Sequence, residues 1–335
     1  MENSKTKAVE SLHGGEFDVP KAVESDASSL DGGEFDDALP GGIYNLKPHM
    51  YPQGYLTYRQ DGVTGRGKKP NKPKCRWTLS DPVEGKQWIR TLVSNVTTPY
   101  LSIKDNALLT APYLLSLPAS YYFRALDMRP DETDTGGEEV MKFQSDVNQS
   151  HYIGVDESGF VVPPAIAGSN PRYARFITTE VAGFSSLKKD FDQEIVQIVS
   201  TGTDKAISIE SEGPVFLSTK DNETTHLKAI SSGQDNVLYT FQGVKHPSLN
   251  LRIRAKDGKM IADEKPTRFA ILKATVPGEE TADDVYVLYS PADHEFVCVK
   301  EDGHLELDPN PLPPSESSEP LTKGPGFFHI EILSK

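Results

Sequence analysis

Seven basic side chains stand between positions 59 and 76: Arg59, Arg66, Lys68, Lys69, Lys72, Lys74 and Arg76, with Asp61 the only acid among them. The whole chain carries a formal charge of −14, so this stretch is a local reversal of sign. Gly62, Gly65, Gly67, Pro70 and Pro73 lie in the same stretch and predict a long exposed loop, partly stiffened by its prolines. Three chemistries fit an extended Arg/Lys loop. It fills the acidic specificity pocket of a trypsin-like protease, it binds a sulfated sugar or phosphate, or it acts as a short basic import-type motif. A merely solvated loop is the fourth alternative.

Catalytic spacing is missing elsewhere. The chain has no Walker A loop, no dinucleotide fingerprint, no G-x-S-x-G elbow and no H-E-x-x-H. Ser185-Ser186-Leu187-Lys188 is a bare S-x-x-K with neither of its usual companion motifs. The eight histidines are scattered, none paired at metal-ligand spacing, and His246, His294, His304 and His329 read as loop or strand-surface residues. No carboxylate pair stands out as acid and base. The expectation is a non-enzymatic protein with no cofactor and no metal.

The elements that must position the basic stretch are short strands. Glu295-Phe296-Val297-Cys298-Val299 alternates apolar and polar residues, turns at Glu301-Asp302-Gly303, and continues through His304-Leu305-Glu306-Leu307 to a closing run at Phe327–Ile332. Alternation of period two around an Asp-Gly turn predicts a hairpin and a third strand. The phrase recurs. Tyr55–Tyr58 closes at Trp77, Tyr100–Asp105 at Phe123, and Tyr152–Val155 at Phe176. After a crossing stretch, in which Glu194–Val199 fits either a strand or part of a short helix, Phe216–Asp221 closes at Tyr239-Thr240-Phe241 and Leu251–Arg254 at Phe269. The Leu251 run fits either the first or the second strand of its unit.

Six units in two sets of three predict an all-β chain of two tandem β-trefoil domains, at 42–182 and 183–335. The closing aromatics Trp77, Phe123, Phe176, Phe241, Phe269 and Phe328 are expected inside the barrels. Units are spaced unevenly, so the connecting loops vary, and such loops are where binding resides. With 26 glycines and 25 prolines, turns outweigh long helices.

Residues 1–41 read as a disordered acidic tail. It holds a duplication: Lys7–Ser11 recurs at Lys21–Ser25, and Ser11-Leu12-His13-Gly14-Gly15-Glu16-Phe17-Asp18 at Ser29-Leu30-Asp31-Gly32-Gly33-Glu34-Phe35-Asp36. Two alternatives stand. A linear motif is used twice to dock a protein partner through Leu and Phe, or a tandem duplication drifts in an unconstrained tail. The N-terminus lacks a secretory core and no run spans a bilayer, so a cytoplasmic location with Cys75 and Cys298 as reduced thiols is expected, and the three Asn-x-Ser/Thr patterns at Asn95, Asn148 and Asn222 are read as chance. The −14 charge argues against nucleic acid and anionic membranes as partners.

Pro40-Gly41-Gly42-Ile43-Tyr44-Asn45-Leu46, the run Asp257–Ile271, and Asp284-Val285-Tyr286-Val287-Leu288 followed by the Pro-rich approach to Gly326–Ile332 together resemble the small β-trefoil protease inhibitors of mushroom fruiting bodies, the serine-protease type and the mycocypins. That family is usually a single trefoil, whereas this chain has units for two. The resemblance implies a defence protein that inhibits by presenting a rigid surface loop to a target protease, of serine or cysteine type. It points to Arg66, Gly67, Lys68, Lys69 and Pro70 first, and to Lys220 and Lys228 in the second trefoil. Lectin trefoils are the alternative. The Gln-x-Trp repeats of the ricin type are missing, but Tyr113, Tyr121, Tyr173 and Tyr289, read as exposed loop aromatics, offer faces for stacking on a glycan. Tyr152–Gly159 and Phe296–Gly303 also resemble the hairpins of fascin, a four-trefoil actin-bundling scaffold, although a chain of this charge suits acidic filaments poorly.

Overall fold

The computed structural model describes residues 41–335 apart from 61, 115, 128–139, 187–190, 233–237, 280–283 and 334–335. The tail with its duplicated motif lies outside the described residues. The first unit is β1 (Gly42–Pro48), β2 (Tyr55–Arg59), β3 (Gly62–Gly67) and β4 (Arg76–Leu79). The second is β5 (Gln87–Thr91), β6 (Tyr100–Lys104), β7 (Ala107–Ala111) and β8 (Tyr122–Asp127). In the third, β9 (Val140–Ser145) and the long β10 (Phe176–Ser186) flank a hairpin reduced to the bridge Val155–Val161 and a short helix, α1 (Pro164–Ser169).

The fourth unit is β11 (Ile195–Ser200), β12 (Ala206–Ser208), β13 (Gly213–Pro214), β14 (Phe216–Ser218) and β15 (Leu227–Ser231). The fifth is β16 (Leu238–Gly243), β17 (Asn250–Ile253), β18 (Met260–Asp263) and β19 (Phe269–Thr275). The sixth is β20 (Val285–Ser290), β21 (Glu295–Val299), β22 (Leu305–Asp308) and β23 (Phe328–Ile332).

Strand pairing closes each set of three units on itself. In the first, the antiparallel order β1–β4–β5–β8–β9–β10 returns to β1. In the second, β11–β15–β16–β19–β20–β23 returns to β11. Each six-stranded barrel is capped by three hairpins: β2–β3, β6–β7 and the Val155–Val161 bridge on one, and β12–β14, β17–β18 and β21–β22 on the other. Six barrel strands and three capping hairpins in this order make a β-trefoil, and the chain has two. Closure matters because a lone hairpin is marginal in water and an open sheet leaves unpaired edges.

The six aromatics expected inside the barrels are buried there. Trp77, Phe123 and Phe176 pack in one core with Leu46, Leu79, Ile89 and Phe143, and Phe241, Phe269 and Phe328 in another with Val196, Ile198, Leu251 and Leu288. Trp77 adds a polar tie, its Nε1 donating to Leu56 O at 2.9 Å in the interior. Trp77→Phe keeps the ring but removes that donor and some volume. We expect it to lower the unfolding free energy by about 2 kcal/mol in urea titrations, with the far-UV spectrum unchanged.

One detail of the repeat differs from the sequence expectation, and two alternatives that the sequence left open are decided. The fourth unit closes at Leu227–Ser231, and Tyr239-Thr240-Phe241 instead opens the fifth unit as part of β16. Leu227-Lys228-Ala229-Ile230 has the alternation of a closing strand without its aromatic, whereas Tyr-Thr-Phe has both. The Leu251 run is the second strand of its unit, and Glu194–Val199 contributes a strand.

The division drawn at 182/183 falls inside β10. That strand closes the first barrel through Phe176 and Ile177, then runs on to pair with β19 from Gly183–Thr275 to Ser186–Leu272. Ile43, Leu92, Val181 and Phe184 meet Val285, Val287, Phe296 and Phe327 in a third apolar core between the barrels. Residues 36–335 accordingly form one compact unit.

Candidate functional site

The basic stretch divides into a strand and a loop. Arg66 and Gly67 are not on a loop: they end β3, hydrogen-bonded against β2. The alternation of small and polar residues in Gly62-Val63-Thr64-Gly65-Arg66-Gly67 hid a strand, because its glycines serve close approach as well as turning. A Cβ on Gly67 would meet the Thr57 hydroxyl and lie 2.7 Å from Cys75 Sγ. Arg66 is tied to the third hairpin: its Nε donates to Ser158 O at 2.8 Å and its Cζ lies 3.8 Å from the centroid of the Phe160 ring.

The exposed loop therefore begins at Lys68 and ends in a 3-10 turn at Pro73–Cys75. Its backbone is fixed from inside. Lys72 N donates to Lys69 O at 3.2 Å and Cys75 N to Lys72 O at 2.9 Å. The buried Arg76 turns its Nε onto Pro70 O at 3.2 Å. The Asn45 amide, in the orientation that satisfies its neighbours, gives N–H bonds to the same Pro70 O at 3.0 Å and to Cys75 O at 3.1 Å. From the second trefoil, Ser315 O accepts from Asn71 Nδ2 at 2.8 Å and Glu316 pairs with Lys72 at 2.9 Å. Burial pulls the Arg76 guanidinium below its ordinary value. Its role is to hold the loop from beneath, a role that its place in a run of surface charges concealed.

Lys68, Lys69 and Lys74 remain exposed, and none makes an ion pair among the described residues. Pro70 is half-buried at the pinned centre of the loop. The arrangement is a preorganised segment with free cationic tips, which is what a substrate-like loop needs to avoid losing conformational entropy on binding.

The second-trefoil lysines are placed differently. Lys220 is held between Asp204 (3.0 Å) and Glu331 (2.9 Å), hydrogen bonds that raise its pKa. Lys228 sits half-buried within β15, paired with Ile195 and Gln242. Lys220 thus stands in the turn after β14 but is tied down by two carboxylates, and Lys228 is part of a strand.

The four tyrosines are not open stacking platforms. Tyr121 is only 5% exposed, and its hydroxyl donates to Pro112 O at 3.0 Å. Tyr173 is half-buried and reaches Glu157 at 3.5 Å. Tyr113 donates across the junction to Ala292 O, and Tyr289 lies on β20 beside Phe296, where burial raises its hydroxyl pKa far above the ordinary value. Tyr113 and Tyr289 instead line the junction between the trefoils around His294, and Tyr121 packs behind it on Tyr100. The His294 ring stacks on Trp88 (centroids 4.8 Å apart, 8° between planes), meets Tyr100 and Tyr113 edge-on, and shares a 2.7 Å hydrogen bond through Nδ1 with Tyr100 Oη. Arg90 reaches over from β5 to Glu295 and to His294 O. Beside it lies a cleft of about 220 Å³ lined by Asp81, Trp88, Phe184, Tyr289, His294 and Phe296. Nothing in the spacing of Trp88, Arg90 and His294 announced that they meet.

Among the described residues no cluster of three or more His, Cys, Asp or Glu side chains is placed to hold a metal ion, and no helix is long and apolar enough to cross a membrane. No protein-family model matches the sequence, and no curated protein matches it. Solved structures do resemble it. A mosquitocidal holotoxin superposes with a TM-score of 0.38 at 13% identity over 88% of this chain, which spans only 35% of the toxin. ThreeFoil, a designed threefold-symmetric protein, gives 0.32 at 11% identity over 42% of this chain and 99% of its own. The trefoil assignment rests on the closed strand order described above, and what this chain belongs to by structure is the all-β, double-trefoil architecture.

Proposed function

We propose that this chain is a non-enzymatic binding protein that inhibits a trypsin-like protease by inserting its 68–74 loop, with Lys68 or Lys69 as the anchor in the protease's acidic specificity pocket. The observation that carries this is the loop itself: exposed, unpaired lysines on a backbone fixed from within by Arg76 and Asn45 and from the side by Ser315 and Glu316. Arg66 is set aside as anchor because its side chain is bound to Ser158 and Phe160. A buried anchor on a rigid frame is how a small contact reaches high affinity.

The test is residual trypsin and papain activity against increasing amounts of the intact chain, beside a Lys68→Ser/Lys69→Ser variant. Both positions are exposed, so the variant folds, whereas a change at Gly67 would disturb β2. Stoichiometric inhibition of trypsin, weakened about a hundredfold in the variant, is the expected result. No inhibition by an uncut chain, or rapid cleavage at the loop, sinks the proposal.

A further inference from the structure

Phe160, 53% exposed, is a large aromatic left open on the first trefoil. It follows the turn Asp156-Glu157-Ser158-Gly159, which is locked: Asp156 Oδ1 accepts from Ser158 N and Phe160 N, both at 2.9 Å. Gly159 has φ +79, and a Cβ there would lie 2.7 Å from Arg66 Cγ, so the glycine lets Arg66 lie across the turn onto the ring. Arg59, at the end of β2, lines the same groove of about 270 Å³, together with Val63, Thr64 and Val161. Neither arginine has a carboxylate partner among the described residues; Nε of Arg66 is spent on Ser158 O, which leaves its Nη groups to donate elsewhere.

The groove continues past Val63 and Val161 into a depression of about 570 Å³ where the three capping hairpins meet. Gln60, Asn106 and Thr110 are among its polar lining. Asn106 Oδ1 is occupied by Ala165 N at 2.8 Å, so its amide N–H groups remain as donors.

We propose that this cap is a binding site for an acidic oligosaccharide: a sugar ring rests on Phe160, its carboxylate or sulfate is held between Arg59 and Arg66, and the next residues lie in the depression against Gln60, Asn106 and Thr110. Two arginines without a carboxylate partner among the described residues, inside a chain of charge −14, favour an anion. The aromatic face and the amide donors beside them suit a ring rich in hydroxyls. The same negative charge disfavours long polyanions, so a short sugar acid fits better than nucleic acid. This site is separate from the 68–74 loop and stands or falls apart from it.

Calorimetric titration of the intact chain with tetragalacturonate, 3′-sialyllactose and a chondroitin sulfate tetrasaccharide, each beside its neutral counterpart, tests the assignment. At least one acidic sugar is expected to bind ten times or more tighter than its neutral counterpart, and more weakly at 150 mM than at 25 mM salt. Arg59→Gln and Phe160→Ala each lower that affinity about tenfold or more; both positions are exposed, and unchanged urea midpoints confirm intact folding. Lys68→Ser/Lys69→Ser leaves it unchanged. Absence of binding by every acidic sugar, equal loss in the Lys68/Lys69 variant, or displacement by inorganic sulfate at the affinity of the sugar acid overturns the proposal. So does tighter binding of a sulfated peptide than of any sugar.

Discussion

Arg90→Ala should cost about 3–5 kcal/mol of unfolding free energy, a loss far larger than a surface charge deletion gives. Arg90 is only 7% exposed, and its guanidinium spans the junction to the Glu295 carboxylate and the His294 carbonyl. Its Cζ also lies 5.7 Å from the Tyr100 ring centroid. Truncation strands a largely buried carboxylate and a carbonyl together, and the cost is mainly that of leaving them without a partner. Arg90→Lys keeps the charge but not the two-pronged donor, so a smaller loss, about 1–2 kcal/mol, is expected. Urea unfolding of the three proteins at pH 7.5 decides the matter. A loss below about 1 kcal/mol for Arg90→Ala would show that the apolar contacts of the junction hold it without this pair.

Acidification should weaken the same junction by about 3 kcal/mol as pH falls from 6.5 to 4. Burial, reinforced by the Arg90 charge and opposed by Asp293, drives the His294 pKa down to about 4 from its ordinary 6.5. The folded state thus holds the ring neutral where the unfolded chain protonates it. The unfolded state binds more protons through this window, so stability is full above pH 6.5, declines below it, and levels off near pH 4. The groups facing the ring are Arg90, Tyr100 and Tyr113 from the first trefoil and Asp293 from its own. The tyrosines stay neutral throughout. His294 has φ +56, so His294→Asn is the suitable control, since asparagine tolerates that conformation and does not titrate. Chemical unfolding at pH 7, 5.5 and 4 should show the wild type losing about 3 kcal/mol more than the variant. Parallel losses in both would assign the acid sensitivity to carboxylates elsewhere.

Much of the architecture was legible because it repeats. Period-two alternation and an aromatic near each closing strand recur often enough to count units, and Trp77, Phe123, Phe176, Phe269 and Phe328 mark closing strands. The boundary slipped at the fourth unit, where Ala229 takes a place that an aromatic fills elsewhere and Phe241 in the next strand completes the core. The site was half legible. A reversal of charge sign located the basic segment, but strand β3 was hidden by its glycines, and side-chain direction was beyond sequence: Arg76 points inward beneath the loop and Arg66 sideways onto Phe160. The tyrosines misled for a related reason. An amphipathic ring in a loop fits a ligand face and a domain junction equally well, and only long-range packing decides between them.

The ladder that β10 shares with β19 works as a ruler. Relative displacement of the two barrels is not continuous along it. A slip of one residue would turn Phe184 out of the junction and Ser185 into it, and the next register that restores both faces lies roughly 7 Å away. Surfaces on the two trefoils are thereby held at one spacing, with no linker to average over. A partner that offers two contacts at that spacing gains the second with little further loss of freedom, and one that offers them at another spacing gains nothing.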